Sequence, residues 1–205
     1  MVPEQEDKYE RIILAAIGLF AQKGFAKTSM ADIARAAGIG KGTTYTYFKG
    51  KDQLFFAAFE WFIKYSENAA KLSLKTLVSS NSTEKIRVFA DSILNSIKES
   101  EDFYPIVLEF WAATASSKYR KEMKNIFKSM YTMIGDYLGA IIEEGIENGE
   151  FDHDIDIGST VPAIVGAWDA IGLQAWFYNE SDKEFNVDKT MRGFTDLMIR
   201  GLIKK

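Results

Sequence analysis

The densest run of small hydrogen-bond donors in the chain is Lys41-Gly42-Thr43-Thr44-Tyr45-Thr46-Tyr47. Ammonium and hydroxyl groups at short reach bind phosphate oxygens, and threonine can also touch a base edge or a thymine methyl. The surrounding window, Lys23 to Lys51, holds six basic residues and one acid, Asp32, for a net charge of +5 in a chain whose total is −4. Such a cluster is the footprint expected for a polyanionic partner. Charge alone also permits an ordinary solvated face, and Tyr47 beside Phe48 also fits an amphipathic core filler.

Other chemistries find little support. The chain has no cysteine, so disulfides, thiolate nucleophiles and cysteine-bound zinc are excluded, which suits a reducing compartment. Its one histidine, His153, lies among Asp152, Asp154 and Asp156. Those acids alternate like the start of a calcium loop. The glycine that loop requires is replaced by Ile157, and its last glutamate by Ala163. No phosphate-cradling glycine loop and no serine–histidine–aspartate arrangement is present. No enzyme, metal or cofactor is expected.

The elements around the donor run read as helices. Ile12, Ile13, Ala16, Leu19 and Phe20 form one apolar stripe, and Gly24 stands where a helix ends. Thr28 and Ser29 are good caps for a short helix that Gly38 terminates. A third helix covers Lys41 to Tyr47. Two short helices joined by a glycine turn and preceded by a longer one form a helix-turn-helix, in which the last helix enters the major groove. Helical spacing continues to the C-terminus, with the longest helix between Tyr119 and Asn148, and others near 157–178 and 187–203. The expected fold is all-α, with about nine helices. A head of residues 1–52 precedes a larger domain of residues 53–205.

The pattern is specific enough to resemble one family. Gly24 and Thr28 open it, Ile33-Ala34 and Ala37-Gly38 follow, and Lys41-Gly42, Tyr45, Tyr47-Phe48, Lys51 and Leu54 complete it. In that order and spacing these residues resemble the DNA-binding region of TetR transcriptional regulators, over about a quarter of the chain. The resemblance implies a DNA-binding surface of Thr28, Ser29, Lys41, Thr43, Thr44, Tyr45, Thr46, Tyr47 and Lys51. Thr28, Ser29 and Lys51 would meet phosphate, and Tyr45 and Tyr47 would hold the backbone. Thr44 departs from a position that is often apolar in the family, and Thr46 from one that is often histidine. The implied partner is double-stranded operator DNA, bound by a homodimer that a small-molecule effector releases.

The remainder of the chain supports pairing on its own residues. Val161 to Tyr178 is apolar on nearly every face, so it needs cover on both sides. Val161, Ile164, Val165, Trp168, Ile171, Gly172, Ala175 and Trp176, with Phe194, Leu197, Met198 and Leu202 of the last helix, are the expected dimer interface. A central core helix in a monomer is the alternative. Phe59, Phe62, Phe89, Phe110, Trp111, Tyr131, Tyr137 and Trp168, with the polar Glu109 and Gln174, are candidate pocket walls for a largely apolar effector. Each of those aromatics fits an ordinary core equally well. The charged start, Met1 to Glu10, and the absence of a run of about 20 apolar residues predict a cytoplasmic protein without membrane association. The competing function is a helical small-molecule- or protein-binding module whose N-terminal region contacts a protein.

Overall fold

The computed structural model describes residues 4–75, 81–99, 106–109, 111–112, 120–178 and 185–204. Eight helices carry these residues: α1 (Glu4–Lys27), α2 (Met30–Ala36), α3 (Lys41–Tyr47), α4 (Lys51–Lys75), α5 (Ser82–Glu99), α6 (Arg120–Glu147), α7 (Ile157–Phe177) and α8 (Val187–Leu202). Residues 106–109 add a short helical stretch. Among the described residues no strand forms, only an isolated bridge between Phe151 and Ile203. The all-helical expectation holds.

The chain divides into two compact units. The first is Met1–Tyr65 with Asp102–Lys124, and the second is Ser66–Glu101 with Asn125–Lys205. The expected boundary near residue 52 is therefore not where compactness changes. The start of α4 packs with the head, because Leu54, Phe55, Ala58 and Phe59 are buried there. A later stretch of chain also returns to the first unit.

In that unit Ile12, Ile13, Ala16 and Phe20 of α1 are buried, along with Ile33 and Ala34 of α2. Phe25 lies 5.5 Å from Phe20 and 4.5 Å from Phe55, ring centre to ring centre.

The second unit has a core of Ile86, Phe89 and Leu94 from α5, Leu138 and Ile142 from α6, Ile164 and Trp168 from α7, and Met191 and Ile199 from α8. Along the surface, α5 and α8 run antiparallel with charges in register. Arg87 meets Asp196, Asp91 meets Arg192 at 3.8 Å and Lys98 meets Asp188 at 2.7 Å. Pairs this exposed contribute at most about 1 kcal/mol each, so they align the helices more than they hold them. Helix α6 ends in a Schellman motif: Gly149 has φ 72°, its N–H donates to Ile146, and the N–H of Glu150 donates to Gly145. The chain then turns Phe151 directly onto Gly145, where a methyl group would come within 2.2 Å of the ring. The Glu150 carboxylate accepts the Ser82 N–H at 3.0 Å and so caps α5.

One acid sits awkwardly in this unit. Asp169 of α7 is half-buried, and the Tyr131 hydroxyl of α6 donates to it at 2.6 Å. Burial pushes its carboxyl above the ordinary aspartate value, and the Tyr131 hydrogen bond offsets part of that rise. In the pH range between the unfolded and folded values, the native state holds more protons than the unfolded chain. Stability must then fall as pH rises through that range, and level off above it. Asp169→Asn should remove this component. In chemical denaturation between pH 4 and 7, the variant should lose less stability than the parent as pH rises. Parallel curves for the two proteins would show that Asp169 titrates normally.

Candidate nucleic-acid interface

The helix-turn-helix is built by local rules. Ser29 caps α2: its hydroxyl accepts the Asp32 N–H at 3.1 Å, while the Asp32 carboxylate accepts the Ser29 N–H at 3.3 Å and the Ser29 hydroxyl at 2.7 Å. The hydrogen bonds from Ser29 hold the Asp32 carboxyl below its usual value. Helix α2 closes with a second Schellman motif, with Gly38 at φ 65°, its N–H on Arg35 and the Ile39 N–H on Ala34. Arg11 of α1 donates to the Ala37 carbonyl at 2.6 Å and pins this turn from beneath. Helix α3 then starts at Gly40, and the Phe48 N–H closes it on the Thr44 carbonyl.

The short reading helix exposes most of its surface. Lys41, Gly42, Thr43, Tyr45 and Thr46 are exposed and Tyr47 is half-buried. Tyr9 of α1 packs beside Tyr47 and stacks on Phe48 at 5.2 Å, so Tyr47 is partly a packing residue. Thr46 bends its hydroxyl back to the Gly42 carbonyl at 3.2 Å. Lys27, Arg35 and Lys49 are exposed around this surface. They belong to the basic window, but their lack of a fixed place in the motif hid them from a pattern-based reading.

Three of the expected DNA contacts have partners within the chain itself. Thr44 is fully buried, with its hydroxyl on the Gly40 carbonyl at 3.3 Å. It is the one α3 residue that faces inward, which is why an apolar residue suits the position. Thr28 is buried too, and its hydroxyl donates to Gly24 at 2.9 Å and Leu19 at 3.2 Å. Lys51 donates to the Phe25 carbonyl at 2.6 Å and the Ala26 carbonyl at 3.3 Å, and lies 4.3 Å over the Phe25 ring. Its ammonium completes the C-terminal end of α1, where a cation is favoured.

The end of α1 also recruits Glu109. Gly24 has φ 75° and ψ 160° inside that helix, which leaves the Phe25 N–H in need of an acceptor. The Glu109 carboxylate supplies it at 2.9 and 3.2 Å. Glu109 is thus a structural partner of the head and not the pocket wall that its apolar neighbours suggested.

The other expected pocket residues separate. Phe59, Phe62 and Trp111 belong to the first unit, where Phe59 is buried and Trp111 exposed. Phe110 lies outside the described residues. In the second unit Phe89 meets Trp168 edge-on at 5.9 Å and Tyr137 at 6.2 Å, and Tyr131 stacks on Phe127. The indole N–H of Trp168 is buried without an acceptor among the described residues. Gln174 is exposed and does not face that cluster.

Most of the expected dimer residues pack inside the single chain. Val161, Ile164, Val165, Trp168, Ile171, Gly172 and Leu202 are buried in the chain's own core. Ala175, Trp176, Phe194 and Met198 are half-buried. Leu197 remains open at 66% exposure, as does Phe177 at 63%. The outward face of α7 carries Gly158, Pro162, Ala163, Gly166 and Ala170, and an open groove of about 940 Å³ runs between it and α6.

Comparison with known proteins agrees with this architecture. Residues 12–58 match the family model described as bacterial regulatory proteins of the tetR family, and residues 64–201 match one for the C-terminal region of YsiA-like proteins. The fatty acid metabolism regulator protein of Bacillus subtilis (strain 168) is 23% identical over 202 residues, covering 98% of this chain and 99% of that protein. A transcriptional regulator from Saccharomonospora viridis, solved in complex with choline, superposes with a TM-score of 0.81 at 17% identity over 98% of this chain and all of that one. FadR from Bacillus subtilis in complex with stearoyl-CoA superposes with a TM-score of 0.72 at 21% identity, over 95% and 99% of the two chains. Among the described residues no helix is long and apolar enough to cross a membrane. With one model matching the helix-turn-helix and another most of the remainder, the chain belongs to the TetR family of DNA-binding transcriptional regulators.

Proposed function

We propose that this chain is a ligand-responsive repressor that binds a pseudo-palindromic operator as a homodimer and leaves it when a small, largely apolar molecule occupies the second unit. The observation that carries the reading is the reading helix: Lys41, Thr43, Tyr45 and Thr46 stand exposed on a helix-turn-helix whose caps and turn are fully formed. The contacts are Lys41, Thr43, Tyr45, Thr46 and the α2 cap at Ser29, with Lys27, Arg35 and Lys49 added for phosphate. Tyr47 serves as the rim of the surface. A protein-binding role for the same region is disfavoured by its charge and small donors.

Pairing uses the outward faces of α7 and α8. Between Gly158 and Gly172 of α7 the branched and aromatic residues Val161, Ile164, Val165, Trp168 and Ile171 fill the chain's own core and small ones face out, which lets a second helix approach closely. Leu197 of α8 supplies the protruding apolar side chain. A two-fold arrangement sets two reading helices about one DNA turn apart. Effector binding favours a spacing of the heads that the operator does not fit, and the shift can be no larger than the effector's preference for that state.

For the effector, the fatty acid metabolism regulator among the relatives and the stearoyl-CoA bound by FadR from Bacillus subtilis favour a long-chain acyl thioester. The unpaired indole N–H of Trp168 would donate to its carbonyl oxygen. A quaternary ammonium is the second reading, favoured by Asp169 beside Tyr131 and by the choline-bound relative.

Selection from random duplex DNA with the purified protein should enrich an inverted repeat. On that repeat, Lys41→Ala should flatten the dependence of log affinity on log salt by about one unit. Lys51→Ala should weaken binding at every salt concentration with little change of slope. A flattened slope for Lys51→Ala alone would return Lys51 to the phosphate contacts.

Sedimentation should give about twice the 23.1 kDa chain mass for the parent and the monomer for Leu197→Arg, with weakened operator binding. A Leu197→Arg dimer would move the interface elsewhere. Titration of the operator complex with stearoyl-CoA should release DNA while choline does not. The reverse result would establish the cationic reading.

A further inference from the structure

The end of α1 is held by charges of opposite sign at the two ends of one residue. At Phe25 the N–H is received by the Glu109 carboxylate and the carbonyl receives the Lys51 ammonium. The same carbonyl accepts the Thr28 N–H at 3.3 Å, and the Thr28 hydroxyl returns to Gly24. One residue later Ser29 caps α2. The angle at which α2 and α3 leave α1 is therefore fixed across five residues, Gly24 to Thr28, and Glu109 is the group that reaches them from far along the chain, 84 residues on.

Gly24 is required there for two reasons. Its φ of 75° is one that side-chain-bearing residues rarely adopt, and a methyl group would lie 3.0 Å from Glu109 Oε1. Glycine admits the carboxylate, and the carboxylate satisfies the amide that the break leaves behind. An apolar residue at 109 would leave a half-buried N–H without its acceptor and the Lys51 ammonium without its counterpart across Phe25.

The position of Glu109 gives the contact a second meaning. The chain leaves the second unit at Glu101, runs through the segment that holds Glu109, and re-enters the second unit at Asn125. Glu109 and Phe25 therefore meet inside the first unit although 84 residues separate them. A hydrogen bond of 2.9 Å tolerates little displacement before it is lost.

We propose that Glu109 is a positioning residue for operator binding: its carboxylate on the Phe25 amide sets the exit of the helix-turn-helix from α1. The inference rests on the DNA-binding reading above. It assigns the set of the reading head to one named hydrogen bond inside the first unit.

The test uses the full chain in two measurements. Hydrogen exchange, read without DNA, should rise in Glu109→Ala for peptides covering residues 22–30 and stay unchanged over α5 and α8. Affinity for the selected repeat should fall about tenfold or more, the scale of a lost hydrogen bond to a charged group, while affinity for random duplex stays within about twofold of the parent. Glu109→Gln keeps an acceptor and should recover part of the loss in both measurements, which a merely structural residue would not do selectively for the operator.

Unchanged exchange at residues 22–30 in Glu109→Ala would overturn the proposal. So would an equal loss on operator and random DNA accompanied by faster exchange throughout residues 4–65, since that is loss of the head's fold. If the parent itself enriches no DNA sequence, the DNA-binding reading fails and this role falls with it. The exchange result would still report whether Glu109 holds the break.

Discussion

The reading surface depends on where α1 stops being a helix. A straight continuation past Gly24 would carry Thr28 and Ser29 on around the helix, and no cap would form for α2. The break at Gly24, with φ 75° and ψ 160°, instead turns the chain so that Thr28 folds back and Ser29 begins a new helix. A break inside a helix leaves polar backbone groups that must find partners. Here the partners are side chains of opposite charge, Glu109 and Lys51, so the element that determines DNA approach is held by electrostatics rather than by apolar packing alone. The Phe20–Phe25–Phe55 contact supplies the apolar half of the same joint.

Much of this head was legible in the sequence because its rules are local. Gly24, Ser29 and Gly38 each sit where a cap or a left-handed turn demands them, and the structure places them so. Direction was not legible. Thr44 carries a hydroxyl and reads as a donor, yet the helical register turns it inward, where its hydroxyl is satisfied by the carbonyl four residues back. The same holds for Thr28. The family resemblance implies a phosphate contact for Lys51, and nothing local reveals that the end of α1 lies within its reach. Glu109 is the extreme case, since its partner is 84 residues away and only the folded chain shows them together.

The C-terminal half shows a different limit. The all-round apolar character of α7 marks a helix that needs cover, but hydrophobicity alone does not say which face is turned where. Volume decides it. Ile164, Trp168 and Ile171 fill a core that needs bulk, whereas Gly158, Ala163, Gly166 and Ala170 face out. Interior packing favours large residues and leaves no voids, while close helix approach favours small ones. Residue size along with polarity separates the two faces of α7 where polarity alone does not.

Asp169 carries the argument about effector class further than the aromatics do. An aromatic side chain packs equally well as core or as pocket wall, so Phe89, Tyr137 and Trp168 do not distinguish the two. A half-buried carboxyl does, because its charge has a cost wherever water is scarce, and the Tyr131 hydrogen bond offsets only part of it. A cationic ligand would turn that cost into an attraction, so its binding should strengthen as Asp169 ionises. An acyl thioester offers the carboxylate nothing and binds best where Asp169 is neutral. The two classes therefore differ in the sign of their pH dependence, and that sign follows from the position of one acid rather than from any likeness to a relative.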